Sequence, residues 1–158
     1  MATEIGVDYI VFHSQILPQL NDPILSNLNN EQARDAWATI LEATDFKGTI
    51  LIENVFENTP EMLVNYMKLV DFQNVKVNLD IGHAHVGDAE LSEWLEALKD
   101  KIAYMHIHTN DGIQDQHKPL SPEGVNELYQ MLDEYNLNPV LSLEYQAEDL
   151  EAEIGKYL

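Results

Sequence analysis

Cysteine is absent from the 158 residues, which excludes disulfides and thiolate metal sites. Arginine is nearly absent: Arg34 stands alone, and 8 basic residues face 28 acidic ones for a formal charge of −20. A surface of that sign repels phosphate backbones, which are gripped by several lysines and arginines. Nucleic acid is therefore disfavoured as a partner unless bound metals reverse the local field. Most of the carboxylates read simply as a solubilising surface. No run approaches 18 continuous apolar residues, and the opening MATEIGVDYI has neither a basic start nor a long apolar core. A signal peptide and a membrane span are not expected, and the chain reads as soluble and cytoplasmic. Low-complexity linkers and sequence repeats are also missing, so residues 1–158 read as a single domain. An apolar fraction of 45%, with Trp37 and Trp94, provides for a real core and argues against acidic disorder.

Strand-like and helix-like runs alternate through the chain. GVDYIVF (6–12), GTILIEN (48–54), VKVNLD (75–80), KIAYMHIH (101–108) and PVLSLEY (139–145) read as strands. A polar loop containing PQLNDP follows the first. Helices are expected over 31–43, 61–70, 89–100, 121–135 and 148–158. Pro60 suits the first turn of the second helix, with Asn58 or Thr59 as cap, and Ser121 and Pro122 open the fourth in the same way. Leu91, Trp94, Leu95 and Leu98 form one apolar stripe on the third. Five βα units in succession imply a parallel sheet with helical crossovers, either doubly wound or part of a (β/α)8 barrel.

Polar residues at the strand ends favour the barrel. Glu53, Asp80, His106, His108 and Glu144 close four of the strands and His13 closes the first. That is the carboxyl edge, where both architectures place their chemistry. Period-two alternation puts Leu51 with Glu53, Asn78 with Asp80, Tyr104 with His106 and His108, and Ser142 with Glu144. One face is thus polar near its carboxyl edge, as suits a barrel interior. Glu53, Asp80, His108 and Glu144 offer three carboxylates and an imidazole from four strands, a set that favours Mn2+ or Mg2+ and admits Zn2+ or Co2+. Taken singly these residues have bland readings. Asp80 alone is a turn or helix cap, His85 a loop residue or a support for a ligand, and His106 an interior packing histidine or a support for a ligand. Their convergence carries the expectation of a metal site.

LIEN (51–54), NLDIGHAH (78–85), HTND (108–111), DQHKPL (115–120) and SLE (142–144) together resemble the xylose isomerase-like TIM barrels, which include sugar and sugar-phosphate isomerases and epimerases, inosose dehydratases and endonuclease IV. The resemblance implies a partial barrel corresponding to strands four to eight, without the first three βα units. A complete barrel takes roughly 200 residues or more, so the chain reads as a fragment, a shortened family member, or half of an assembly completed by a second copy or a complementary barrel-half chain. It also implies roles. Glu53, Asp80, His108 and Glu144 match a metal quartet, Glu53 and Glu144 a pair that withdraws and returns a proton through an enediolate, and His83 a substrate contact. In the endonuclease branch His13, His83, Asp115 and His117 match additional metal ligands. The implied activity is a divalent-metal-dependent isomerase or epimerase of a sugar or sugar phosphate, with a metal phosphodiesterase or a noncatalytic metal- or ligand-binding protein as alternatives. Two departures stand out: Ser121 and Glu123 occupy positions where the family pattern has glycines, and no arginine follows the histidine strand.

Overall fold

The computed structural model describes residues 2–18 and 22–158. Its five strands are β1 (Tyr9–His13), β2 (Thr49–Glu53), β3 (Val75–Asp80), β4 (Ile102–Ile107) and β5 (Val140–Leu143). All are parallel and lie in the order β1-β2-β3-β4-β5. That order never reverses, so the doubly wound alternative is excluded. Right-handed crossovers in one direction place the helices on one face of the sheet, as in a barrel wall. The fold is a partial (β/α) barrel.

The helices are α1 (Ala2–Ile5), α2 (Pro23–Ala43), α3 (Pro60–Leu69), α4 (Ile81–Val86), α5 (Leu91–Leu98), α6 (Pro122–Glu134) and α7 (Leu150–Ile154). Of the expected PQLNDP loop, residues 19–21 lie outside the described residues, and Pro23 opens α2. Asp22 caps that helix by accepting hydrogen bonds from Ile24 N at 2.9 Å and Leu25 N at 3.1 Å, so α2 begins eight residues before the apolar pattern that announces it. Ser121 caps α6, its hydroxyl accepting from Gly124 N at 3.1 Å, with Pro122 following as expected. No described helix is long and apolar enough to cross a membrane.

Alternation sorts the strand side chains as the sequence predicts. Ile50, Ile52, Val75, Val77, Leu79, Met105 and Ile107 join Leu63 and Met67 of α3, Trp94, Leu95 and Leu98 of α5, and Val125, Leu128 and Leu132 of α6 in one buried cluster. Each such burial contributes about 1.5–3 kcal/mol. On the opposite face Tyr9, Val11 and Val140, all on the two edge strands, are 36–42% exposed. The sheet curls toward that face. Tyr9 and Tyr104, three strands apart, bring their rings to a centroid distance of 5.3 Å, whereas strand spacings of about 4.8 Å would hold them roughly 14 Å apart in a flat sheet.

Registers place the site. His13, Glu53, Asn78, Tyr104 and Val140 are level across the five strands, and Asp80, His106 and Ser142 form the next inward row. The polar strand ends therefore climb from β2 to β5. The wall behind β1 is held by Trp37 of α2, whose Nε1–H donates to Tyr66 Oη of α3 at 2.8 Å, both residues being buried. Tyr66→Phe leaves that indole donor unsatisfied and should cost about 1–3 kcal/mol, read as a lowered midpoint in chemical denaturation.

Candidate metal centre

At the carboxyl edge of β2, β3 and β4, and just beyond β5, lie two clusters of potential ligands. Glu53, Asp80, His106 and Glu144 form one, and His83, His108, Asp115 and His117 the other; within each, one donor atom per residue lies within 4.8 Å of all the rest. Two His/Asp/Glu clusters of this kind are consistent with a divalent metal site.

In the deeper cluster Glu53 and Asp80 are buried, and Glu144, one residue beyond β5, is partly exposed. Asn78 Nδ2 donates to Glu53 Oε2 at 3.0 Å and aims that carboxylate. His106 Nδ1 stands among all three acids, 2.9 Å from Glu144 Oε2, 3.4 Å from Glu53 Oε2 and 3.7 Å from Asp80 Oδ2. The quartet expected from sequence named His108 instead. His108 is nearby, with Nε2 2.9 Å from Asp80 Oδ1 and 3.9 Å from Glu144 Oε2, but its Nδ1 faces Asp115 Oδ1 at 3.5 Å in the outer cluster. His108 therefore stands between the two, and His106 occupies the deeper one. Sequence alternation puts both imidazoles on one face; the climbing register, invisible in the sequence, puts His106 level with Asp80.

The outer cluster is built beyond the strand ends, from α4 and the segment that follows β4. Asp80 caps α4, its Oδ1 accepting from His83 N at 2.7 Å, so this aspartate is at once a helix cap and a member of the deeper cluster. His83 Nδ1 hydrogen-bonds to Asn54 O at 2.8 Å and His117 Nδ1 to Glu144 O at 2.7 Å. A carbonyl can only accept, so each Nδ1 carries its hydrogen and Nε2 is the free position, an acceptor wherever it holds no proton. Both Nε2 atoms point at one oxygen, Asp115 Oδ2, at 3.2 and 2.9 Å. Acceptors meeting in this way need a proton or a cation between them. His117 also holds a left-handed backbone at φ 47°, a conformation that costs about 1–3 kcal/mol at a constrained site. Its loop is pinned by hydrogen bonds in both directions between Thr109 and Lys118, of 2.7 and 2.9 Å. His13 ends β1 level with Glu53 but is exposed and joins neither cluster, and His85 is exposed outside both.

Charge requires compensation here. Two like charges 4 Å apart repel by about 4 kcal/mol at an effective dielectric near 20, and three carboxylates converge. Burial works to lower the His106 imidazole, but its carboxylate neighbours Asp80, Glu53 and Glu144 outweigh this and push it up to about 10. Burial works to raise Asp80, yet the surrounding imidazoles of His106, His108 and His83 hold it well below the usual carboxylate range. Glu144 is pushed up by burial and by Asp80 and Glu53, with His106 opposing. A divalent cation fits this donor set. His106 Nδ1, His108 Nδ1 and Glu144 Oε2 are buried atoms without a well-aligned hydrogen bond, although opposite partners stand within reach.

A proton on His106 and a cation among the same acids compete. The folded value lies above the ordinary imidazole value, so the stabilisation it supplies is complete below about pH 6.5 and lost as the pH rises through ten. Metal-stripped protein should therefore lose stability across that window. Mn2+ or Zn2+ binding should release protons and tighten with pH, as read by titration calorimetry in buffers of different ionisation enthalpy; His106→Gln should flatten both dependences. A second expectation concerns Gly82, where a Cβ would fall on the His108 imidazole. Gly82→Ala should push that ring off Asp80 and weaken metal binding roughly 10–100-fold, with the circular dichroism spectrum unchanged.

Comparison with known proteins agrees with this architecture. Residues 1–157 match the model of the family described as xylose isomerase-like TIM barrel. MJ1311, an uncharacterised protein of Methanocaldococcus jannaschii, is 30% identical over 157 residues, covering 90% of this chain and 52% of its own length. The chain thus spans about half the length of that curated relative. The TTHB071 protein of Thermus thermophilus, from crystals soaked with ZnCl2, is 25% identical and superposes with a TM-score of 0.65 over 98% of this chain and 61% of its own. The apo 3-keto-D-glucoside 4-epimerase YcjR of E. coli shares the fold at 17% identity, with a TM-score of 0.66 over 98% of this chain and 64% of its own. The chain belongs to the xylose isomerase-like TIM barrel family.

Proposed function

We propose that the chain carries the metal-binding half of a divalent-metal-dependent isomerase or epimerase of a sugar or sugar phosphate. One observation carries this reading: two glutamates, Glu53 at the end of β2 and Glu144 just beyond β5, meet in one cluster with Asp80 and an imidazole. Family membership and the fold shared with a sugar epimerase support it. Mn2+ or Mg2+ suits the carboxylate-rich cluster, and Zn2+ or Co2+ the histidine-rich one. When bound, the cation supplies Lewis-acid stabilisation of negative charge developing on adjacent substrate oxygens, as on an enediolate.

The chain's own residues supply the proton chemistry. Glu53, buried and aimed by Asn78, takes a carbon-bound proton on one side of the substrate. Glu144 is more exposed and has a carboxyl that holds its proton to higher pH; it returns one on the other side, and the roles exchange for the reverse reaction. His83, with Nδ1 fixed on the Asn54 carbonyl, orients a substrate oxygen. The open edges at β1 and β5, with their exposed Tyr9, Val11 and Val140, accept further strands, whether from a longer chain, a second copy or a complementary barrel half.

A second reading, a metal phosphodiesterase, is favoured by the outer His83–His108–Asp115–His117 cluster, which proton transfer between two glutamates does not need. The single arginine and the charge of −20 weigh against it. Incubation of the Mn2+-loaded protein with ketoses and ketose phosphates in D2O separates the two. Exchange of a carbon-bound proton is expected, and Glu53→Gln and Glu144→Gln should each lower it by about 10^2-fold or more. Cleavage of abasic-site DNA without sugar exchange would reject the isomerase in favour of the phosphodiesterase.

A further inference from the structure

On the reading of the two clusters as ion sites, we infer that Asn54 is a positioning residue that holds Asp80 of the inner cluster and His83 of the outer one in a single rigid unit. The β2–β3 ladder ends with the pair Glu53–Asn78, two residues before Asp80. Beyond that point the Asn54 side chain continues it. Its Oδ1 accepts from Asp80 N at 2.9 Å, and its Nδ2 donates to Asp80 O at 2.9 Å. A side-chain amide thus stands in for the missing strand residue and fixes the backbone from which the Asp80 carboxylate projects. The main chain of the same residue does a second job, since Asn54 O receives the His83 Nδ1 hydrogen bond of 2.8 Å.

The unit is closed and anchored. Asp80 Oδ1 accepts from His83 N at 2.7 Å, completing a ring of contacts through Asn54, Asp80 and His83. Glu57, itself buried, locks the turn that follows by accepting from Val55 N at 2.8 Å and Phe56 N at 3.0 Å. Ser14 N donates to Glu53 O at 2.9 Å on the other side. Asn54 is 1% exposed, so water cannot replace its bonds. Only an amide presents a donor and an acceptor at this spacing. An aspartate would set an oxygen against the Asp80 carbonyl, and a serine could satisfy at most one of the two groups. The amide contacts no reacting atom; it acts through the two groups it holds.

Asn54→Asp and Asn54→Ser are compared with wild type and with Tyr66→Phe, which breaks a buried hydrogen bond away from the site. Two readouts are taken on metal-stripped protein: Mn2+ and Zn2+ affinity by calorimetry, and the His83 ring resonances in long-range 1H–15N spectra. Both Asn54 variants should bind metal roughly 10–100-fold more weakly and lose the single Nδ1–H pattern of His83. Tyr66→Phe should lower the denaturation midpoint while leaving both readouts at wild-type values. Wild-type affinity together with an unchanged His83 pattern in folded Asn54→Asp or Asn54→Ser would overturn the assignment. Equal weakening by Tyr66→Phe would also overturn it, as a general stability effect. If wild type binds neither ion, the ion-site reading fails and the His83 pattern alone decides for or against Asn54.

Discussion

Three carboxylates, two ending β2 and β3 and one just beyond β5, converge on one largely buried point, and such a point is stable only with positive charge inside it. Glu53 and Asp80 have almost no access to water, so solvent cannot screen their repulsion, and the charge must come from a neighbouring imidazole or a cation. His106 answers the first requirement by sitting within 3.7 Å of all three acids. The donor set answers the second, since several of its nitrogens and oxygens lack a hydrogen-bond direction of their own. Much of the surrounding structure follows from keeping that point in place. Asn78 aims Glu53, Asn54 extends the ladder to Asp80, and α4 begins just after Asp80, with the His83 N–H donating to its carboxylate.

The sheet converts a linear order of residues into that point. In a flat sheet Glu53 and Glu144, on strands three places apart, would stand roughly 14 Å apart. Curling brings the strands round, as the Tyr9–Tyr104 contact records on the same face, and the register raises the successive polar strand ends. The deep cluster sits on this climb and the outer one above it, and His108 joins them by reaching Asp80 with one nitrogen and Asp115 with the other.

Much of this is legible in the sequence because period-two alternation is a local property. The five strands, their polar inner face, the capping of α6 by Ser121 and the gathering of Glu53, Asp80 and Glu144 all follow from neighbouring residues. What is not legible depends on register or on single side-chain bonds. His106 reads as a packing or supporting residue because nothing in one strand says which residue of the next lies beside it. The start of α2 is hidden because Asp22 and Pro23 resemble a loop until the helix that they cap is seen. The short helix α4 escapes the pattern because Asp80 serves as strand end, cap and cluster member at once. Asn54 carries a readable signal, an amide directly after a strand-terminal glutamate, but its meaning needs the geometry of Asp80.

The overall charge of −20 and the local chemistry point in opposite directions, and the distances decide which matters where. Surface carboxylates separated from the site by more than a Debye length, about 8–10 Å, are largely screened; they set how the protein meets large anions, not how the site meets an ion. Within the clusters, separations of about 3–4 Å in a partly dry environment make each charge count. On the proposed reading a small sugar or sugar phosphate would approach such a site because its own charge is low and a bound cation would face it. A long polyanion must cross the whole negative surface with one arginine to help. On either proposed reading the same histidines and carboxylates would be used, so selection between them would fall to the field outside the site and to the wall at the open edges β1 and β5.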